Sequence, residues 1–337
     1  MNDSNKLKPL TFLSRKGGVA RENGPFYRVM LFDPRGMYPS GTRFIRSGFF
    51  HADEDVAFSV VRGRSWDEVL PDAPYSEFNW ASPEELRLMV SLVLCERRDG
   101  PYVSLYPVVR YGPQLDVKKL DLRDPATVVR VRELIIETAA SASRPYGPHG
   151  RIEGLLGRKY DLVDPRRYGF DRLRAIWASL GDASFLFFRG VYTLIKADML
   201  GRHYEFSEEA IVSLYIALEA SFSIVLRNLR EREGVKNPSA HDAAVWLHEH
   251  FDAPFGLPAP DATERYFETF YEERVMTLHP ASRYGELPYA PIMHDDIPHL
   301  RRSLREIFAY LLLDEHGPDY DDDVDQHVKK TGQSASA

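Results

Sequence analysis

The sequence predicts an α+β module followed by an all-α helical bundle, and three observations predict it. Short aromatic and β-branched runs, broken by Pro, Gly and Asp, occupy the N-terminal third. A helix start of the form Ser-Pro-Glu-Glu interrupts them at Ser82. From about Arg167 the texture changes to long apolar periods of 3.6 residues, with no strand signal before the tail. At 337 residues the chain is long enough for two domains, each burying its own core.

Residues 1–24 are polar, punctuated by Gly17, Gly18 and Gly24, and read as a flexible N-terminus. Residues 25–122 form the α+β module. Phe26 to Phe32, Thr42 to Phe50 and Asp55 to Val61 read as strands separated by Pro34, Gly36, Pro39, Gly41 and Asp53. Ser82 can cap a helix, Pro83 suits its first position and Glu85 completes a capping box. Leu86, Val90, Val93 and Leu94 give that helix an apolar face, with Cys95 as a small buried residue near its end. Tyr102 to Arg110 reads as a further strand. Residues 123–166 comprise a helix from Asp124-Pro125 to about Ala142 and then a linker rich in Gly, Pro and Arg. Residues 167–316 hold the bundle, with helices near 168–180, 183–200, 208–233, 240–251, 261–279 and 297–313. Residues 317–337 read as a disordered acidic tail.

Charge is unevenly placed. Of the net charge of −7, −5 lies from Asp314 onward, where Asp314, Glu315, Asp319, Asp321, Asp322, Asp323 and Asp325 face only Lys329 and Lys330, and the rest of the chain is nearly neutral. Such a tail is most simply solubilising; its sharper reading is a polyanion mimic that occupies a basic site until substrate displaces it. Arginine outnumbers lysine 33 to 10, which suits phosphate recognition and equally a GC-rich genome. Cys95 is the only cysteine, so no intrachain disulfide forms. The longest apolar stretch, Leu88 to Cys95, interrupted by Ser91, is too short for a membrane span, and Lys6 and Lys8 lead into Pro9 rather than a signal-peptide core. The expectation is a cytoplasmic protein with no membrane association.

Several activities lack their motifs. Gly154 to Tyr160 has neither the spacing nor the hydroxyl of a phosphate-binding loop. No Gly-x-Gly-x-x-Gly follows a strand, and no Gly-x-Ser-x-Gly elbow occurs. His248-Glu249 begins a zinc-protease pattern, but Asp252 stands where the second histidine belongs.

One constellation remains. In the helix near 208–233, Ile211, Leu214, Tyr215, Leu218, Phe222, Val225 and Leu229 form a core stripe, and Glu219 lies beside it. In the helix near 261–279, Arg274 falls on a stripe of Phe267, Phe270, Tyr271 and Leu278. A guanidinium on an apolar face needs a partner, because an isolated buried charge costs several kcal/mol or more. Glu219 is the obvious partner for a structural ion pair; alternatively the face lines a cleft where Arg274 meets an anion. His279 closes the helix, since Pro280 cannot continue it. Regular helix places His279 about 140° from Arg274, though a last turn can swing the imidazole back. Imidazole and guanidinium together suit metal-free RNA cleavage. The bland alternative is a histidine capping the helix carbonyls.

Arg274-Val275-Met276-Thr277-Leu278-His279 resembles the Arg-x(4–6)-His signature of the HEPN superfamily. Tyr215-Ile216-Ala217-Leu218-Glu219-Ala220-Ser221-Phe222 resembles the glutamate-bearing helix of its Apea-like branch, and Tyr271-Glu272-Glu273-Arg274 the approach to the motif. The resemblance covers roughly residues 168–315. It implies a helical bundle that homodimerises and joins two such motifs in one cleft, as in metal-independent endoribonucleases of toxin–antitoxin and anti-phage defence systems. Arg274 would contact the scissile phosphate and His279 would assist the ribose 2′-hydroxyl, with RNA as substrate, no cofactor and a protein regulator as a further partner. From the stripe geometry, not from the resemblance, Glu219 would orient Arg274. Val275 stands where active members often carry Asn, Asp or His, and Pro280 where many carry Gly. The alternative is therefore a catalytically silent HEPN dimer binding RNA, a nucleotide or a protein.

A third reading is a metal-dependent hydrolase built on His294, Asp295, Asp296 and His299. The simpler account is helix initiation, with an aspartate cap and Pro298 in the first turn. His241, His248 and His250 read as a solvated face.

Overall fold

A computed structural model describes residues 26–63, 81–98, 100, 103–108, 114–115, 120–141, 158–181, 183–257, 274 and 296–331. The described chain divides into two compact units. One comprises the described parts of Met1–Leu92 and Pro101–Trp177, the other those of Val93–Gly100 and Ala178–Ala337. A sheet-rich α+β region thus precedes a helical one, as the sequence pattern predicts.

In the first unit, strands β1 (Phe26–Phe32), β3 (Gly41–Ile45), β4 (Gly48–Ala52), β5 (Ala57–Gly63) and β6 (Pro107–Val108) form an antiparallel sheet in the order β3-β4-β5-β1-β6, and β7 (Gln114–Leu115) also pairs with β1. The run expected as one strand from Thr42 to Phe50 is a hairpin. Arg46 and Ser47 turn the chain so that Ile45 faces Gly48, and a Cβ on Gly48 would lie 2.2 Å from the Val60 carbonyl oxygen. The strand expected over Tyr102 to Arg110 is shorter: within its described part only Pro107–Val108 is a strand, with a single bridge from Ser104 to Met37.

Alternation along β1 sends Tyr27, Val29 and Leu31 into a core with Phe49, Phe58 and Val60, closed by Val128, Val131 and Ile135 of helix α2 (Pro125–Ser141). The opposite register carries Arg28 to Glu85 of helix α1 (Pro83–Leu94) at 3.1 Å. The predicted capping box is present: Ser82 N donates to Glu85 Oε2 at 2.6 Å and Glu85 N to Ser82 Oγ at 3.3 Å. Cys95 is buried, as expected.

The expectation of a linker up to residue 166 is corrected at its C-terminal end. Strand β8 (Asp161–Val163) pairs in parallel with β2 (Met37–Pro39), and Tyr160 is buried with its hydroxyl donating to the Phe32 carbonyl at 2.8 Å. Aromatic burial and backbone pairing outweigh a linker-like composition here. Residues 142–157 lie outside the described residues.

The second unit is helical. Helix α3 (Leu173–Ser179) straddles the division, and α4 (Phe185–Leu200), α5 (Ser207–Glu231), α6 (Ala240–Phe251) and α7 (Asp296–Leu313) follow. Ser184 caps α4 through Phe187 N, and Ser239 and Asp242 form a capping box on α6. The predicted stripe Ile211, Leu214, Tyr215, Leu218, Phe222, Val225 and Leu229 is buried throughout. Gly190 permits a close approach: a Cβ there would lie 2.3 Å from Phe308 Cζ and 3.1 Å from Ala220 Cβ. Tyr204–Glu231 is apolar and long enough to cross a membrane, but 67% of its most apolar stretch is buried in the protein, so it reads as a core helix.

The acidic tail is not disordered over its described part. Residues 320–331 form helix α8 (Tyr320–Thr331), and the sequence supports it locally. Asp321, Asp322 and Asp323 lie in the first turn and Lys329 and Lys330 in the last, which complements the helix dipole. Tyr320, Val324, His327 and Val328 recur at helical spacing. Tyr320 is buried, and its hydroxyl donates to the His250 carbonyl at 2.9 Å.

Candidate functional site

Glu219 lies on the margin of the α5 stripe, flanked by buried Leu218 and Ala220, with its side chain partly exposed. Arg274 is helical, and its Nη2 stands 3.0 Å from Glu219 Oε2. The two residues singled out from separate helical stripes therefore meet. The contact is electrostatic: Glu219 Oε2 is buried without an aligned hydrogen-bond donor among the described residues. The Arg274 and Glu219 side chains are 22% and 44% exposed, so the pair is half-buried rather than sealed in the core. His279, Val275 and Pro280, with the stripe of Phe267, Phe270, Tyr271 and Leu278, lie outside the described residues.

The residues of the alternative metal reading divide likewise. His294 and Asp295 are outside the described residues, Asp296 begins α7, and His299 in its first turn is exposed. Among the described residues no group of three or more His, Cys, Asp or Glu is placed to hold a metal ion. His248, expected on a solvated face, is instead buried, with Nδ1 3.5 Å from Asp252 Oδ2. His250 stacks on Trp246 with ring centroids 3.9 Å apart. His250, half-buried, also packs against Tyr310, with ring centroids 5.3 Å apart.

Sequence reasoning missed a buried charge network in the same unit. Arg301 on α7 donates to both oxygens of Glu96, from Nη2 at 2.8 Å and also from Nη1, and to Asp198 on α4 from Nε at 3.1 Å and Nη2 at 2.8 Å. Arg305, one turn on, donates from Nη1 to the Glu96 carbonyl oxygen at 2.8 Å. Burial alone would lower Arg301, but the charges of Asp198 and Glu96 raise it above its ordinary value and hold it ionised. Burial pushes the Asp198 carboxyl up to about 6 despite the arginine. The signal was present: Arg301, Leu304, Arg305 and Phe308 share one helix face, so two guanidiniums sit on an apolar stripe and need acids.

That network fixes the segment bearing Arg97 and Arg98. Arg98 Nε pairs with Asp323 at 3.2 Å and Nη1 with Glu306 at 3.7 Å, and its guanidinium lies 4.3 Å from the Phe255 ring centroid. Arg97 reaches Asp319 at 3.5 Å. His316 stacks on Tyr320 at 3.6 Å, and burial, reinforced by His250, lowers its imidazole to about 4.

In the first unit Thr42 Oγ1, His51 and Asp53 line up at 2.9 and 3.2 Å, a hydroxyl–imidazole–carboxylate series. Asp53 is already committed, accepting from Arg132 and from the amides of Asp55 and Val56. Burial opposes ionisation there, but Arg132, those amides and His51 hold the carboxyl at about 2. The series is a clamp joining the β4–β5 turn to α2.

Comparison with protein-family models, with curated proteins and with solved structures finds no significant match.

Proposed function

We propose that the chain is a metal-independent endoribonuclease of HEPN type, a cytoplasmic defence or toxin effector that works as a homodimer through its helical unit. The observation that carries the reading is the Arg274–Glu219 contact of 3.0 Å at a partly exposed position. Arg274 neutralises charge growing on the scissile phosphate, and Glu219 orients it. His279 takes the proton of the ribose 2′-hydroxyl as that oxygen attacks phosphorus. The P–O5′ bond breaks, the leaving 5′-oxygen gains a proton, and a 2′,3′-cyclic phosphate remains. No cofactor is required. Val275 and Pro280 support a second reading, a silent dimer that binds RNA, a nucleotide or a protein regulator.

Purified protein incubated with a mixed single-stranded RNA pool in EDTA tests the proposal. Degradation by wild type but not by Arg274→Ala or His279→Ala is the expected result. Intact RNA with folded wild-type protein favours the silent dimer, and degradation abolished by EDTA favours the metal-dependent hydrolase. Sedimentation showing only monomer at micromolar concentration would contradict the composite cleft.

A further inference from the structure

Helix α8 carries its acids in two sets. Asp319, just before it, and Asp323 turn inward onto Arg97 and Arg98 at 3.5 and 3.2 Å. Asp321, Asp322 and Asp325 face solvent. The inward pair lands where a guanidinium and aromatic faces already lie together. Arg98 sits over Phe255, whose ring is in turn covered by Tyr320 and His327 from the tail, at 5.5 and 5.6 Å. Arginine forks match phosphate oxygens, and aromatic faces stack bases whatever the sequence.

The hold on these arginines is incomplete. Among the described residues Arg97 Nε is buried without an acceptor and Asp319 Oδ2 without a donor, so the docked helix does not satisfy the two groups. The platform beneath is fixed. Glu96, adjacent to Arg97 in the chain, is gripped at its carboxylate by Arg301 and at its carbonyl by Arg305. A fixed basic–aromatic surface under an acidic, imperfectly bonded terminal helix is the arrangement of an internal competitor.

We infer that α8 is a displaceable polyanion mimic covering a single-stranded RNA surface built on Arg97, Arg98 and Phe255. Docked, it excludes the strand; released, it uncovers Arg97 and the Phe255 ring and leaves Arg98 with Glu306 alone, at 3.7 Å. The inference rests on the ribonuclease reading for its choice of RNA, but it uses none of the residues assigned to cleavage.

The test uses the full chain carrying Arg274→Ala, so that bound RNA stays intact, and a fluorescein-labelled single-stranded RNA read by anisotropy. Asp319→Asn with Asp323→Asn removes the inward charges. Asp322→Asn with Asp325→Asn removes the same charge from the solvent face. For a helix open in about a tenth of molecules, the inward variant binds about tenfold tighter, the outward variant stays near the parent, and adding Arg97→Ala and Arg98→Ala removes the gain. Hydrogen exchange over 319–331 reports release of α8; if the helix remains docked, Tyr320→Ala on the parent releases it and the gain over the parent decides. Equal gains from inward and outward variants, or no gain with α8 released, overturn the inference. A binding gain in a protein whose Arg274-bearing form cleaves no RNA would count against the ribonuclease reading and leave this surface standing.

Discussion

Arg305 holds Glu96 by its backbone, donating from Nη1 to the Glu96 carbonyl oxygen at 2.8 Å, while Arg301 holds the same residue by its carboxylate. The segment after α1 is thereby fixed to α7 from within one unit. Glu96 and Arg301 side chains are only 3% and 2% exposed, so neither charge has water to fall back on.

Replacing Arg301 by Met leaves two acids without their main counter-charge. The expected loss is about 3–5 kcal/mol of unfolding free energy, because breaking one side of a buried pair strands the other. Adding Glu96→Gln to Arg301→Met should recover part of that loss. Urea unfolding followed by circular dichroism checks both, and a double variant as unstable as the sum of its singles would contradict the pairing.

Gly190 is a packing requirement. A methyl group there meets the Phe308 ring at 2.3 Å, and Phe308 itself packs edge-on to Phe187 at 5.3 Å, so the ring has little room to retreat. Gly190→Ala should cost about 1–3 kcal/mol through overpacking, despite the better helix propensity of alanine. Thermal denaturation reads the sign directly.

Tyr320 anchors α8 through its buried ring and its hydrogen bond to the His250 carbonyl. Tyr320→Ala should cost roughly 2–4 kcal/mol if the helix unfolds with the body, and should speed hydrogen exchange in α8 while leaving α5 protected. Unchanged exchange across α8 would mean that the tyrosine does not hold it.

His316 makes that anchoring sensitive to acid. Its folded pKa, lowered to about 4 by burial and by His250, lies below the ordinary histidine value. The unfolded or undocked state therefore binds the proton more readily, so the stabilisation is complete above about 6.5 and is lost as pH falls toward 4. His316→Phe should flatten the difference in α8 exchange between pH 7 and pH 5. A variant with the wild-type pH profile would assign the effect elsewhere.

What the sequence revealed follows from how local each cause is. The capping box at Ser82 and Glu85 and the α5 stripe depend on spacings within a few residues, and both are in place. The Glu219–Arg274 contact came from a charge-burial argument applied to two helices, and it too is present. The same argument applied to Arg301 and Arg305 would have required acids, but Glu96 follows a short helix and carries no periodic signal of its own. The tail has the composition of a disordered segment, whereas Tyr320 and His327 at helical spacing against Phe255 supply the apolar face that folds it. The parallel pairing of Asp161–Val163 with Met37–Pro39 joins segments more than a hundred residues apart, beyond the reach of local pattern.

The central claim is that Arg274 acts on the phosphate during metal-free cleavage. Its most direct test is the rate at which folded wild type and Arg274→Ala release 2′,3′-cyclic phosphate ends from single-stranded RNA in EDTA. Loss of one positioned charge-stabilising donor predicts a rate lower by about 10²–10³ in the variant. Equal rates for the two proteins, or wild-type products lacking cyclic ends, would contradict the account.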